Sequence, residues 1–324
     1  MSSVADRNPA VDTMANPLVA GYGSAEYSAS LSDFGTPRHL PLSGGWVLDR
    51  PIAGSACTDA MGCYPLFTCQ DWGKLQPDVA RLSDELVSLA LVADPFGDYR
   101  VQDLEATFDR VLPFKQHLVA DLATPRSSFV SRHHQRETVR AVKRVDVERC
   151  ARPLSLLDEW IALYACLCAR HKITGIGAFS ARAFEKQLSV PGLVMFRARS
   201  RNATVGIHLW YLQRDVAYFH LAAANAEGYK LMASYALLWE ALGSLSRDVR
   251  WLDLGAAPDR SERAGGLEQF KQGWSTGTRP ALLCGKVLQP DQYRRLTNAA
   301  GIAQTSYFPA YRATDLTERM SKHE

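Results

Sequence analysis

Few residues in this chain combine reactive chemistry with a setting that could use it. His220 lies near the end of a strand-like run, 216–223, where an imidazole would take the proton of an attacking ammonium group. The same setting also suits a packed core histidine with a single hydrogen bond. Asp253 terminates the run 250–254 ahead of Gly255 and either orients a nucleophile or its helper, or serves as a turn residue. Arg126, Arg132, Arg136, Arg140, Lys143 and Arg144, with His133 and His134, form a cationic row on one amphipathic segment. Such a row grips substrate phosphates, or is a solvated helix with Glu137 as internal partner. Trp210, Tyr218 and Tyr235 would line an acceptor groove, or simply fill the core of a meander.

Other chemistries are excluded by pattern. No HExxH, P-loop or GxGxxG fingerprint is present, which argues against a zincin, an NTPase and a dehydrogenase. Seven scattered cysteines include no CxxC pair and suit reduced thiols better than a disulfide framework. His133 and His134 are adjacent and point in different directions on a helix, so no metal site is expected. A net charge of +3 over 324 residues is too mild to imply DNA binding. No apolar run reaches the roughly 20 residues of a spanning helix, and residues 1–16 lack a secretory pattern. The expectation is a cytoplasmic protein without a transmembrane segment.

The elements that must position these groups follow from hydrophobic period. Residues 1–44, rich in Ser, Ala, Gly and Pro, predict a flexible tail. From residue 45 the pattern predicts strand 64–69, helix 77–86, strand 87–93, helix 101–111 and strand 117–122. A basic helix over 128–144 and a short strand over 145–150 follow. The second half predicts helices 154–170 and 179–188, the latter capped by Ser180, then an antiparallel meander of strands 192–199, 204–213 and 216–223. Helix 229–245, strand 250–254, a short helix 265–273, strand 281–288 and helix 291–299 complete a mixed α/β chain.

The order of the second half, with Tyr218-Phe219-His220-Leu221, Tyr229, Ala233-Ser234-Tyr235, Leu238-Trp239-Glu240-Ala241, Trp251-Leu252-Asp253-Leu254-Gly255 and Gly266-Leu267-Glu268-Gln269-Phe270-Lys271, resembles the FemAB-like branch of the GNAT N-acyltransferases. The resemblance covers roughly residues 45–312. It implies two tandem GNAT-like domains, a truncated or degenerate one over 45–152 and an acyltransferase domain over 153–312, with a C-terminal tail over 313–324. The implied activity is direct transfer of an acyl or aminoacyl group to an acceptor amine without a covalent enzyme intermediate. No permanently bound cofactor is implied; acyl-CoA or aminoacyl-tRNA is the co-substrate, so tRNA is a candidate partner beside a small-molecule or precursor amine.

The resemblance also implies roles for individual residues. Lys271 would stabilise the oxyanion, with Phe270 packed beside it. The donor would meet the helix start at Asn225, Gly228, Tyr229 and Lys230, where free N–H groups favour phosphate. That stretch has a single loop glycine where acetyl-CoA users carry a Q/R-x-x-G-x-G/A signature, which favours another donor. Arg132, Arg136, Trp210, Tyr218, Tyr235 and Phe270 would bind substrate. Envelope or exopolysaccharide pathways are the implied setting. The competing reading is a non-catalytic binding protein of such a pathway that kept the fold, and a filled slot between the fourth and fifth strands would favour it.

Overall fold

The computed structural model describes residues 19–256, 262–302 and 305–313. Among them, strands β1 (Thr36–Leu40), β2 (Gly45–Pro51), β3 (Thr58–Gly62), β4 (Ser88–Ala93), β5 (Arg110–Asp121), β6 (Asp146–Arg149), β7 (Leu193–Ser200), β8 (Ala203–Gln213), β9 (Val216–Ala224), β10 (Trp251–Ala256) and β11 (Gly277–Val287) form one mixed sheet. Its order is β1-β2-β3-β4-β11-β5-β10-β9-β8-β7-β6. The strand late in the chain, β11, lies between β4 and β5, so the two halves share a single sheet rather than two separate ones.

Helices cover both faces. Those of the first half are α1 (Ala25–Ser30), α2 (Leu75–Arg81), α3 (Val101–Thr107), α4 (Arg126–Phe129) and α5 (Arg132–Ala141). The second half contributes α6 (Leu157–His171), α7 (Ala181–Gln187), α8 (Ala226–Lys230), α9 (Ala233–Leu245), α10 (Glu262–Gln272) and α11 (Pro290–Ala299). On β8, Ile207, Leu209 and Tyr211 join one core with α1, α6 and α7, whereas Val205 and Trp210 join the opposite core with α5 and α9. A strand buried on both faces reads as a continuous apolar run rather than an alternating one, as β8 does. No helix among the described residues is long and apolar enough to cross a membrane.

Several expectations are corrected. Residues 19–44 are part of the fold: the Ser24 hydroxyl caps α1 by accepting from the Tyr27 amide at 3.1 Å, and Tyr22, Tyr27 and Leu31 are buried against the second-half core. Residues 1–18 and 314–324 lie outside the described residues. The run 64–69 is not a strand; Phe67 makes only an isolated bridge to Ala93, and Pro65 has no N–H for a ladder. The basic segment is two helices, because the Ser131 hydroxyl accepts from the His134 amide and starts α5 afresh. The helix expected over 229–245 is also split, since Met232 adopts a left-handed φ of 60° between α8 and α9. At the far end of the chain, buried Asp59 of β3 accepts from Tyr311 at 3.0 Å and from Arg312 at 2.5 Å, which fastens this segment to the first half.

The relationship that matters for function lies between β9 and β10. They pair in parallel only over Val216–Trp251, Ala217–Leu252 and Tyr218–Asp253, and then part, while β9 continues to Ala224 against β8. A register shift in the β8–β9 ladder leaves His220 as an extra residue, because Trp210 faces Phe219 and Leu209 faces Leu221. Bulges of this kind disrupt the ladder and re-aim side chains, and they favour strands next to working sites.

Candidate active site

Trp251, Asp253 and Gly255 alternate along β10 and so share one face. Asp253 is buried, and its carboxylate accepts from His117 Nδ1 at 2.8 and 2.9 Å and from the Gly255 amide at 2.7 Å. His117 comes from β5, which is antiparallel to β10. The register is irregular between Asp253 and Ala256, and Gly255 has a φ of +75°, a conformation that favours glycine. A carboxylate can only accept, so it holds the proton of the imidazole on Nδ1 and leaves the Nε2 lone pair free. Nε2 has no hydrogen-bond partner among the described residues. The side chain is 10% exposed.

Lys271 reaches the same strand from α10. Its ammonium donates to the Ala256 carbonyl at 2.8 Å and lies 3.3 Å from where a Cβ on Gly255 would be. Loss of solvent lowers it to about 8, against an upward pull from Asp253 and with a further lowering from Lys115. Asp253 thus acts on both His117, through hydrogen bonds, and Lys271, through its charge.

A row of side chains crosses four strands here. Arg279 of β11 is the cross-strand partner of His117, and Tyr218 of β9 that of Asp253. Tyr218 donates to Asp94 Oδ2 at 2.7 Å, and the Phe96 amide donates to Oδ1 at 2.9 Å. Burial pushes the Asp94 carboxyl up to about 6, although both hydrogen bonds oppose the shift. Asp94, Phe96, Gln213, Tyr218, Trp251 and Arg279 line a cavity of about 230 Å³ on this face. A larger cavity of about 420 Å³ lies between α6 and the β7–β8 hairpin; of the expected site residues it touches only Asn225.

The residues expected from sequence divide accordingly. Lys271, Asp253 and Tyr218 are brought together. His220 is not their partner: its Nδ1 lies 3.2 Å from the Tyr22 hydroxyl and its Nε2 3.2 Å from Gln187 Oε1. Tyr22, Tyr27, Tyr211 and Phe179 surround it, and burial lowers it to about 3. With both nitrogens engaged, His220 is packed as in the second of the two readings.

The expected donor stretch, Asn225 to Lys230, is held by contacts within the fold. Asn225 Oδ1 accepts from the Gly228 amide at 2.9 Å, and its Nδ2 donates to the Thr204 carbonyl at 3.3 Å. A Cβ on Gly228 would fall 2.1 Å from the Val205 carbonyl oxygen, so this glycine lets α8 pack closely on β8. Tyr229 lies under the Arg170 guanidinium at 3.9 Å, and Lys230 is exposed beside Glu227 at 3.9 Å.

Trp210 is fully buried and stacked on Phe219 at 4.5 Å, so it lines no groove. Tyr235 and Phe270 meet edge-on at 5.1 Å, with His134 beside both. His134 Nδ1 accepts from the Ser131 hydroxyl at 2.7 Å, and its Nε2–H donates to the Phe270 carbonyl at 2.9 Å. Through this ring α5, carrying exposed Arg132 and Arg136, is bonded to α10, carrying Lys271. Among the described residues no group of three or more His, Cys, Asp or Glu side chains is placed to hold a metal ion.

The fold is GNAT-like, carried on one large mixed α/β sheet. Residues 130–272 match the family model described as an acetyltransferase (GNAT) domain. FemX has a similar fold, at 12% identity and a TM-score of 0.62 over 84% of this chain and 93% of that one. The C-terminal domain of a putative lysylphosphatidylglycerol synthetase from Agrobacterium fabrum is similar at 14% identity and a TM-score of 0.60, covering 87% and 94%. L-PGS from Bacillus licheniformis follows at 13% identity and 0.51, covering 81% and 91%. No curated protein matches the sequence significantly.

Proposed function

We propose that this protein is an N-acyltransferase in which His117 is the general base, Asp253 its positioning residue and Lys271 the group that receives negative charge on the carbonyl oxygen. The observation that carries this reading is the hydrogen-bonded His117–Asp253 pair beside Lys271, on the strand that parts from β9. The parting leaves β9 backbone unpaired on one side, where the arm of a donor can lie.

The step balances without a covalent enzyme intermediate. A neutral acceptor amine attacks the donor carbonyl carbon. As the C–N bond forms, an N–H proton passes to His117 Nε2, and the carbonyl oxygen gains charge near the Lys271 ammonium. The C–S bond of a thioester, or the C–O bond of an ester, then breaks. The imidazolium returns its proton to the departing sulfur or oxygen. Asp253 holds the tautomer and offsets the transient imidazolium charge.

An acyl-CoA and an aminoacyl-tRNA both offer such a carbonyl on a phosphorylated handle. The similarity in fold to a putative lysylphosphatidylglycerol synthetase supports keeping an aminoacyl donor beside the thioester. Arg132 and Arg136, exposed on the helix bonded to α10, would meet that handle. The test is incubation with acyl-CoA thioesters and with aminoacyl-tRNA in the presence of amines, following free thiol or deacylated tRNA. Turnover that collapses in both His117→Gln and Lys271→Ala is expected. Undiminished turnover in His117→Gln, or no consumption of either donor class, would overturn the reading.

A further inference from the structure

The cavity on the Trp251 side of the catalytic pair has a distinctive lining. The Arg279 guanidinium carbon lies 4.2 Å from the centre of the Phe96 ring and 4.8 Å from that of Trp251. No carboxylate among the described residues pairs with it. Aromatic faces hold the planar cation while leaving its in-plane N–H groups available, which is the arrangement that receives a carboxylate as a fork. Arg279 also lies directly across the ladder from His117, so an anion on Arg279 is anchored one side chain away from the base.

The remaining polar lining is mixed: beside Asp94, Gln213 and Tyr218 it holds Arg214, which donates to the Cys69 and Gln70 carbonyls, and Asp215, whose Oδ1 accepts from the Arg250 amide. Asp94 and Gln213 are 2% and 4% exposed, and both Asp94 oxygens already accept, from the Tyr218 hydroxyl and the Phe96 amide. Gln213 donates its Nε2–H to Thr68 at 2.9 Å, but its Oε1 has no hydrogen-bond partner among the described residues. One cavity thus sets the Arg279 fork between aromatic walls, in a space suited to a single amino-acid unit. Lys271 lies toward the other end of β10, beyond Asp253, so donor and acceptor would approach His117 from opposite sides.

We propose that this cavity is the acceptor subsite and that it takes an amine carrying its own carboxylate: an amino acid, or the terminal amino-acid unit of a longer molecule. The carboxylate sits on Arg279 and the amino group turns toward His117. The assignment rests on the N-acyltransferase reading for its meaning, but its test needs no donor.

The probes are glycine, L-alanine, D-alanine and L-lysine, against methylamine, ethylamine and cadaverine, titrated into the full-length protein by calorimetry. At least one amino acid should bind, and its carboxylate-free counterpart should bind roughly 10- to 100-fold more weakly, the scale of one charge-assisted contact. Arg279→Gln should abolish that preference, and Arg279→Lys, which keeps the charge but not the fork, should reduce it; thermal melting identifies any variant that fails to fold. Equal binding of amino acids and amines, or an unchanged preference in a folded Arg279→Gln protein, would overturn the subsite. Saturable amino-acid binding without consumption of any donor would preserve the subsite and remove the transferase reading. Turnover of amines with no preference for a carboxylate would do the reverse.

Discussion

Asp253 accepts from His117 at 2.8 Å although 136 positions separate them, and the pair joins two antiparallel strands from different halves of the chain. Removing the acceptor charge while keeping the shape should therefore cost activity rather than fold. Asp253→Asn and His117→Gln should each lower kcat by about 10²- to 10⁴-fold, the range for a positioned acid–base group. Because the two act as a unit, the double variant should be little worse than either alone. Steady-state rates with a shared donor and amine check both statements.

Lys271 supplies a second, pH-dependent prediction. Lys271→Ala should lower kcat by about 10²- to 10³-fold, the scale for loss of one oxyanion donor. Its ammonium, lowered to about 8, must be charged to act, so the wild-type rate should fall as pH rises through about 8. Lys271→Arg keeps a cation there, and any activity it retains should lack that limb. For stability the sign is opposite. A lysine neutralised more readily in the folded state is relieved of a buried charge as pH climbs from about 8 toward about 10.4, the unfolded value. Denaturant midpoints over that window should rise more in the wild type than in Lys271→Met.

Asp94 carries a stability prediction at acidic pH. An unfolded aspartate titrates near about 4, whereas this one holds its proton up to about 6. Between those values the unfolded chain releases a proton that the native state retains, so this group makes stability fall as pH rises from about 4 to about 6. Asp94→Asn should flatten that slope. Urea unfolding at half-unit pH steps checks it, and an unchanged slope would refute the assignment.

Gly228 separates a packing role from a donor-binding role. A methyl group 2.1 Å from the Val205 carbonyl oxygen cannot be accommodated without backbone movement. Gly228→Ala should therefore destabilise by about 1–3 kcal/mol, the typical scale of overpacking. The KM for the donor should remain close to that of the wild type. Thermal melting and donor titration on the same preparation distinguish the two roles, since a large KM change without a melting shift would restore the phosphate-loop reading.

How far the chain could be read depended on the range of the interaction. Strands β7 to β9, helix α7 with its Ser180 cap, and helix α11 follow from local apolar period and turn residues, and they appear as expected. Strands β1 to β3 were not legible. β1 is an edge strand with Pro37, Arg38 and His39 in its middle, and edges suppress the apolar pattern that reveals interior strands. The segment around Tyr22 and Tyr27 looked like a tail because two tyrosines among small residues make no period; only the aromatic cluster around Tyr211 gives them a place.

The site shows the same division. Lys271 and Asp253 were legible as members of an ordered motif set, whereas His117, Asp94 and Arg279 carry no spacing rule that ties them to it. Sequence determines periodicity, caps and breaks, because those arise from neighbours within a few residues. Which histidine meets Asp253 was decided by the insertion of β11 beside β5 and the pairing of β5 with β10, which set His117 between Arg279 and Asp253. His220 sits in the motif-bearing strand, but the tertiary structure encloses it in tyrosines and occupies both of its nitrogens. Burial and hydrogen bonding to distant strands set a side chain's proton chemistry, and neither is a property of local sequence.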